Sequence, residues 1–155
     1  MLRVVKSVVA GAIAVSLVGG LVAVAQAQSD IVKARQDNRK ALSAAGRQVS
    51  KLVKENGDLS EIADQANKMA ELDKAFAGMF PPGSDKDPDT LAAPSIWSDR
   101  AGFDAANQRA TDAALKMAAL AKDGKRDALA DQLRDLGKTC GECHRAYTTR
   151  DPFKK

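Results

Sequence analysis

The sequence predicts an all-α fold, an antiparallel four-helix bundle with one long crossover between its second and third helices. Three observations carry that expectation. Runs of alternating apolar and polar residues are scarce after residue 28, while alanine, leucine, lysine and glutamine, all good helix formers, dominate. Apolar residues recur at three- and four-residue steps in four segments. Two short breaks and one long proline-containing break separate the segments, which is the connection pattern of antiparallel neighbours in a bundle.

The first helix is expected from about Asp30 to Asn56, with Ile31, Ala34, Asn38, Leu42, Ala45, Val49 and Leu52 along one stripe and Gly57 as its stop. The second is expected from about Asp58 to Phe76, its face marked by Leu59, Ile62, Ala66, Met69, Leu72 and Phe76, with Asp58 or Ser60 at its start. Residues 81 to 99 read PPGSDKDPDTLAAPSIWSD, and their prolines exclude a regular helix there. The stretch is too short to join two domains and reads as a crossover inside one. The third helix is expected from about Arg100 to Lys122 and ends at Asp123-Gly124. The fourth runs from about Lys125 to Thr149, with Leu129, Leu133, Leu136, Cys140, Cys143 and Tyr147 on one face. The methionines Met69, Met79 and Met117 read as core fillers.

The chain has 155 residues and a formal net charge of +4. Its N-terminus is built differently from the rest. Arg3 and Lys6 precede an apolar stretch over residues 8 to 24, and Ala25-Gln26-Ala27 follows as A-x-A. That order is a secretory signal peptide, residues 1 to 27, with export to the periplasm as its consequence. An uncleaved membrane anchor is the alternative, since the apolar stretch is close to spanning length. Cleavage after Ala27 leaves residues 28 to 155 as one domain. The charge then falls to +2, because Arg3 and Lys6 are the only charged residues removed. Charges of both signs are interleaved in what remains, and no basic run with aromatics offers a surface for nucleic acid.

Both cysteines of the chain lie near its C-terminus, three residues apart, in Cys140-Gly141-Glu142-Cys143-His144. A disulfide between them would close too small a loop to restrain the unfolded chain. The order C-x-x-C-H is the attachment pattern for c-type haem. Two thiols at i and i+3 share one face of a helical turn. Each can form a thioether to a haem vinyl group, and His144 then presents an imidazole to the iron. Two other readings compete. A thioredoxin-type redox pair belongs at a βα junction, and no sheet is expected here. A structural zinc site needs four ligands, so a carboxylate would have to join the two cysteines and one histidine, and the adjacent Cys143 and His144 suit that geometry poorly.

With these pieces in place the chain resembles the cytochrome c′ family, the class II c-type cytochromes, which are four-helix bundles with C-x-x-C-H near the C-terminus. Arg35-Gln36 is similar to the family's R-Q pattern in the first helix. Phe80-Pro81-Pro82-Gly83-Ser84 is similar to its F-P-x-G-T/S stretch. Pro94-Ser95-Ile96-Trp97 followed by Phe103 resembles P-x-I-W…F, and residues 137 to 147 match G-x-x-C-x-x-C-H-x-x-Y/F.

The resemblance implies one covalent haem c per chain, held by Cys140 and Cys143 with iron ligated by His144. It places Arg35 and Gln36 near the haem propionates, where an arginine fork suits a carboxylate. Ser84 and Asp85 are implied near a propionate as well, and Trp97 and Phe103 around the haem edge. It also implies one-electron transfer with redox partner proteins, or binding of nitric oxide or carbon monoxide at an open sixth position, and a homodimer contact through the first two helices. Two positions depart from the family. The residue four after the arginine, over the distal haem face, is commonly Met in six-coordinate members and Leu, Phe or Tyr in five-coordinate ones. Here it is Arg39, whose guanidinium has no lone pair for iron. Five-coordinate iron, or iron with water or hydroxide, is therefore expected, with Arg39 swinging to a propionate. The position four after the histidine, usually arginine, is Thr148. Peroxide chemistry needs a distal acid or base. Arg39 is no base and the chain has no second histidine, so no enzyme is expected.

Overall fold

The computed structural model describes residues 12 to 150, with side chains from Ser29 onward. The expected signal peptide, residues 1 to 27, lies outside the residues whose side chains are described. Five helices follow in order: α1 (Ala12–Lys54), α2 (Leu59–Ala77), α3 (Ser95–Ser98), α4 (Arg100–Lys122) and α5 (Leu129–Tyr147). Four of them form the bundle, and among the described residues there is no strand beyond the isolated bridge Ala92–Thr148.

The boundaries differ from expectation for local reasons. Helix α1 begins upstream of Asp30, because residues 12 to 30 contain no proline and an alanine-rich apolar stretch also favours helix. It ends at Lys54 through a Schellman motif. Asn56 takes the left-handed conformation at φ 52°, Gly57 N donates to Leu52 O at 2.8 Å, and Asn56 N donates to Val53 O at 3.5 Å. Gly57 serves by its lack of a side chain, since a Cβ there would come within 2.7 Å of Leu52 Cδ2. Asp58 caps α2, its carboxylate accepting from Glu61 N at 2.9 Å.

The crossover does contain one helical turn, which the prolines were expected to exclude. Pro94 precedes α3 at φ −54°, a value that suits the entry to a helix. The last helix starts four residues late. Gly124, at φ 70°, turns the chain, a 3₁₀ turn over Arg126–Ala128 follows, and neither Lys125 nor Ala128 supplies a side-chain cap. It also ends at Tyr147 rather than Thr149. There the backbone goes extended to pair with the crossover, Ala93 N donating to Tyr147 O at 3.1 Å and Thr149 N to Leu91 O at 2.9 Å.

Two apolar clusters fill the bundle. At one end Val49, Ile62, Met117 and Leu129 are closed by a seam of small residues, Ala63, Ala66 and Ala70 of α2 with Ala114, Ala118 and Ala121 of α4. Short side chains let α2 and α4 approach closely. At the other end the core is aromatic. Phe80 meets Phe76, Phe103 and Trp97 edge-on at centroid distances of 4.9, 5.0 and 5.8 Å, and Phe103 meets Tyr147 at 5.4 Å.

Buried Arg35 holds the crossover against α1. Its Nε donates to Met79 O at 2.7 Å, Nη1 to Ser84 O at 3.0 Å, and Nη2 to Ser84 Oγ. Its guanidinium lies 4.2 Å from the Phe80 ring centroid. Ser84 Oγ in turn donates to Pro81 O at 2.7 Å, and Trp97 Nε1 donates to the same oxygen at 3.2 Å. A polar knot and an aromatic cluster thus brace the same end of the bundle.

Candidate haem site

Cys140, Cys143 and His144 occupy the last two turns of α5, a helix with a sharply one-sided apolar face. All three are half-buried. Thr148, the residue that replaces the expected arginine, donates from Oγ1 to His144 O at 2.8 Å and so closes the helix end just after the histidine. The Nδ1 atom of His144 is buried.

This turn opens on a cavity of about 810 Å³ with mostly apolar walls, walled by α1, α2, α4, α5 and the crossover. A cavity of that size is at the upper end of those that enclose cofactors. Cys140, Cys143, His144, Arg35 and Gln36 all line it, as does Phe103. Ser84 is buried but stands behind Arg35 rather than on the lining, and Asp85 pairs with Lys86 at 3.2 Å outside it. Trp97 packs on Phe80 away from the lining. Gln36 is exposed at the edge of the cavity, its Nε2 3.5 Å from Asp89 O.

Arg39 lines the cavity too, and it is fixed. Its Nη1 donates to Asp73 Oδ1 at 2.9 Å, its Nε and Nη2 to Asn38 Oδ1 at 2.9 and 2.6 Å, and Nη2 also to Leu72 O at 3.2 Å. The guanidinium lies 3.7 Å from the centroid of Phe76. Its partner Asp73 was missed from the sequence. The α2 stripe passes from Met69 through Asp73 to Phe76 in steps of four and three, and Asp73 is buried where Leu72 was expected. A carboxylate on the apolar stripe of a helix was the available signal. Burial raises the Asp73 carboxyl above the ordinary range, with Arg39 opposing, and burial likewise lowers Arg39.

The thiols feel the same environment. Burial raises both, Cys143 to about 11, against the pull of Arg39. Before haem is attached, the Cys143 thiolate at pH 8 is then on the order of one part in a thousand. Iodoacetamide should label the haem-free folded protein at Cys143 many times more slowly than the urea-unfolded chain, as read by mass spectrometry of the alkylated peptide. Equal rates would mean the thiol is not buried as described.

The donor set fits haem and fits little else. Among the described residues no group of three or more His, Cys, Asp and Glu side chains is placed to hold a metal ion. Cys140 and Cys143 are free thiols on one helix face, beside the chain's single histidine and a large apolar space.

Comparison with known proteins agrees. The family model for cytochrome c′ matches residues 30–148. Cytochrome c′ of Rhodospirillum rubrum is 33% identical over 88 residues, which is 57% of this chain and 60% of that protein. Cytochrome c′ of Alcaligenes xylosoxydans xylosoxydans is 30% identical over 120 residues, 76% of this chain and 92% of that one. The crystal structure of cytochrome c′ from Rubrivivax gelatinosus superposes with a TM-score of 0.70 at 27% identity, covering 78% of this chain and 96% of that chain. A nitric oxide complex of a mutant cytochrome c prime from Alcaligenes xylosoxidans superposes with a TM-score of 0.71 at 29% identity, covering 79% and 96%.

Fold and site together define a c-type haem protein built on a four-helix bundle, with its attachment motif on the last helix. The chain belongs to the cytochrome c′ family. Its cofactor is haem c.

Proposed function

We propose that this protein is a periplasmic one-electron carrier whose single haem is attached through Cys140 and Cys143, with His144 as the iron ligand. The observation that carries the reading is the half-buried Cys140–His144 turn opening on the cavity. A group tethered there has its body in an apolar space and its attached edge near solvent, which is what electron exchange with a partner protein asks for. Haem iron, once bound, supplies the one-electron couple. The chain supplies the anchors, the ligand and the low-polarity walls that set the potential. Arg35 and Gln36 stand on the crossover side of the cavity, where propionates would be received. Ser84 and Asp85 act at one remove, through the knot around Arg35 and the loop beside it. Export through the segment 1 to 27 accounts for the cell compartment, and unidentified redox proteins are the partners. A homodimer through α1 and α2 belongs to the same reading.

Cyclic voltammetry of the purified haem-loaded protein tests the claim. A reversible one-electron wave, with spectra that interconvert on reduction and oxidation, is the expected result. An irreversible response, or haem lost on cycling, would end the electron-carrier reading.

A second reading, binding of a small gas, is favoured by one observation. Arg39 is held by Asp73, Asn38 and Leu72 O, and it has no lone pair to offer iron. An open sixth position is then expected, and the nitric oxide complex of a related cytochrome c prime supports it. Broad, merged visible bands in the reduced protein would mark the open site. Sharp bands would mark a protein ligand there, Met69 being the thioether on the cavity wall.

A further inference from the structure

We infer that Arg39 and Asp73 together form a proton-accepting ligand site, suited to a small weak acid that enters neutral and is held as its anion. The inference rests on the haem reading above and deepens it. The cysteines and the histidine all come from α5, so the ligating imidazole reaches the cavity from that side. Arg39 and Asp73 come from α1 and α2 and line the same cavity. They are 2.9 Å apart, and the Asp73 side chain is only 5% exposed.

The pair is held from several directions. Asn38 and Leu72 O orient the guanidinium independently of Asp73, and Phe76 packs on its face. Asn107 of α4 donates to Asp73 O at 2.8 Å and fixes the backbone that carries the carboxylate. The titratable groups that bear on the pair from α5 are Cys140 and Cys143, which stop titrating once they are thioethers. The pair thus places a fixed hydrogen-bond donor and a proton acceptor, guanidinium and carboxylate, side by side on an otherwise apolar wall.

The chemistry balances without any outside reagent. A neutral acid H–X enters, its H–X bond breaks, the proton goes to the Asp73 carboxylate, and the electron pair stays on X⁻. Arg39, released from half of its ion pair, donates to the anion. The net charge inside the cavity is unchanged, because Asp73 loses one negative charge as the anion supplies one. Taking up an anion without adding net charge avoids the cost of leaving a buried charge uncompensated. Burial already biases the Asp73 carboxyl toward holding a proton. A neutral gas needs none of this, so the pair discriminates between the two ligand classes.

Cyanide is the probe, since at neutral pH it is free in solution almost wholly as hydrogen cyanide. The ferric haem-loaded protein is titrated by calorimetry in two buffers of different ionisation enthalpy, which counts protons released to solvent. The expected result is close to no proton released per cyanide bound. In Asp73→Asn about one proton per cyanide should appear, with affinity lowered about tenfold or more. Release of a full proton by the unaltered protein would overturn the inference, as would a failure to bind cyanide at all, and neither outcome needs the variant to fold. Carbon monoxide binding by the ferrous protein, run alongside, needs no proton acceptor. If it binds while cyanide fails either criterion, the open haem stands and only this inference falls.

Discussion

Replacing His144 by alanine should leave haem attached but change its spectrum and its reduction potential, the latter on the order of 100 mV or more, because axial ligand identity is the strongest control a protein has over a haem. His144 is the chain's only histidine, and it follows Cys143 directly on the face of α5 that lines the cavity. Three other lining groups with lone pairs are engaged elsewhere. Tyr147 donates its hydroxyl to Asp99 Oδ2 at 2.9 Å, Asp73 is paired with Arg39, and Met69 is packed in the alanine-rich cluster. None of these three replaces the imidazole without giving up those contacts. Thr148 binds the backbone carbonyl of residue 144, not its side chain, so the helix end survives the change. Optical redox titration of the variant reads the effect. A spectrum and potential equal to those of the unaltered protein would remove His144 from the role of ligand.

Replacing Arg35 by alanine should cost about 3 kcal/mol of stability, a sum of lost charge-assisted hydrogen bonds and of loop carbonyls left to find water. Arg35 is 5% exposed and is the hub of the crossover, reaching Met79 O, Ser84 O and Ser84 Oγ at once while stacking on Phe80. No single shorter side chain spans those partners. Lysine keeps the charge but presents one ammonium in place of a planar fork, so Arg35→Lys should recover less than half of the loss. The loss corresponds to a fall in melting temperature of roughly 10 °C for a domain of this length. Thermal unfolding of the haem-free proteins followed by circular dichroism measures it without interference from the cofactor. A variant within a degree or two of the parent would mean that the aromatic cluster alone holds the crossover.

These two residues also show what a sequence discloses and what it withholds. The helices were legible because their apolar residues step by three and four and because glycine, aspartate and proline punctuate them. The C-x-x-C-H motif over residues 140 to 144 was legible because its spacing is itself the chemistry. Arg35 was legible only through resemblance, and its contacts tie it to Met79 and Ser84, some forty-five residues away, which no local pattern encodes. Asp73 is not legible as a core residue, because a carboxylate breaks the apolar stripe of α2 and Leu72 beside it fits that stripe nearly as well. Its burial becomes intelligible only with Arg39, which lies on another helix. The ends of α5 were misplaced for a similar reason. The strand-like pairing of Thr148 with Ala92 depends on a crossover whose path is not local to either. Helix interiors are set by neighbours in sequence, whereas helix ends and buried ion pairs are set by neighbours in space.

The central claim, that this chain carries one covalent haem on Cys140 and Cys143, is tested most directly by the intact mass of the protein made in a host that attaches c-type haem and then denatured in acid. The account predicts a chain beginning at Gln28 and heavier by one haem, with the added mass retained after extraction and found on the peptide containing both cysteines. A mass equal to that of the polypeptide alone, with both thiols open to alkylation, would contradict it.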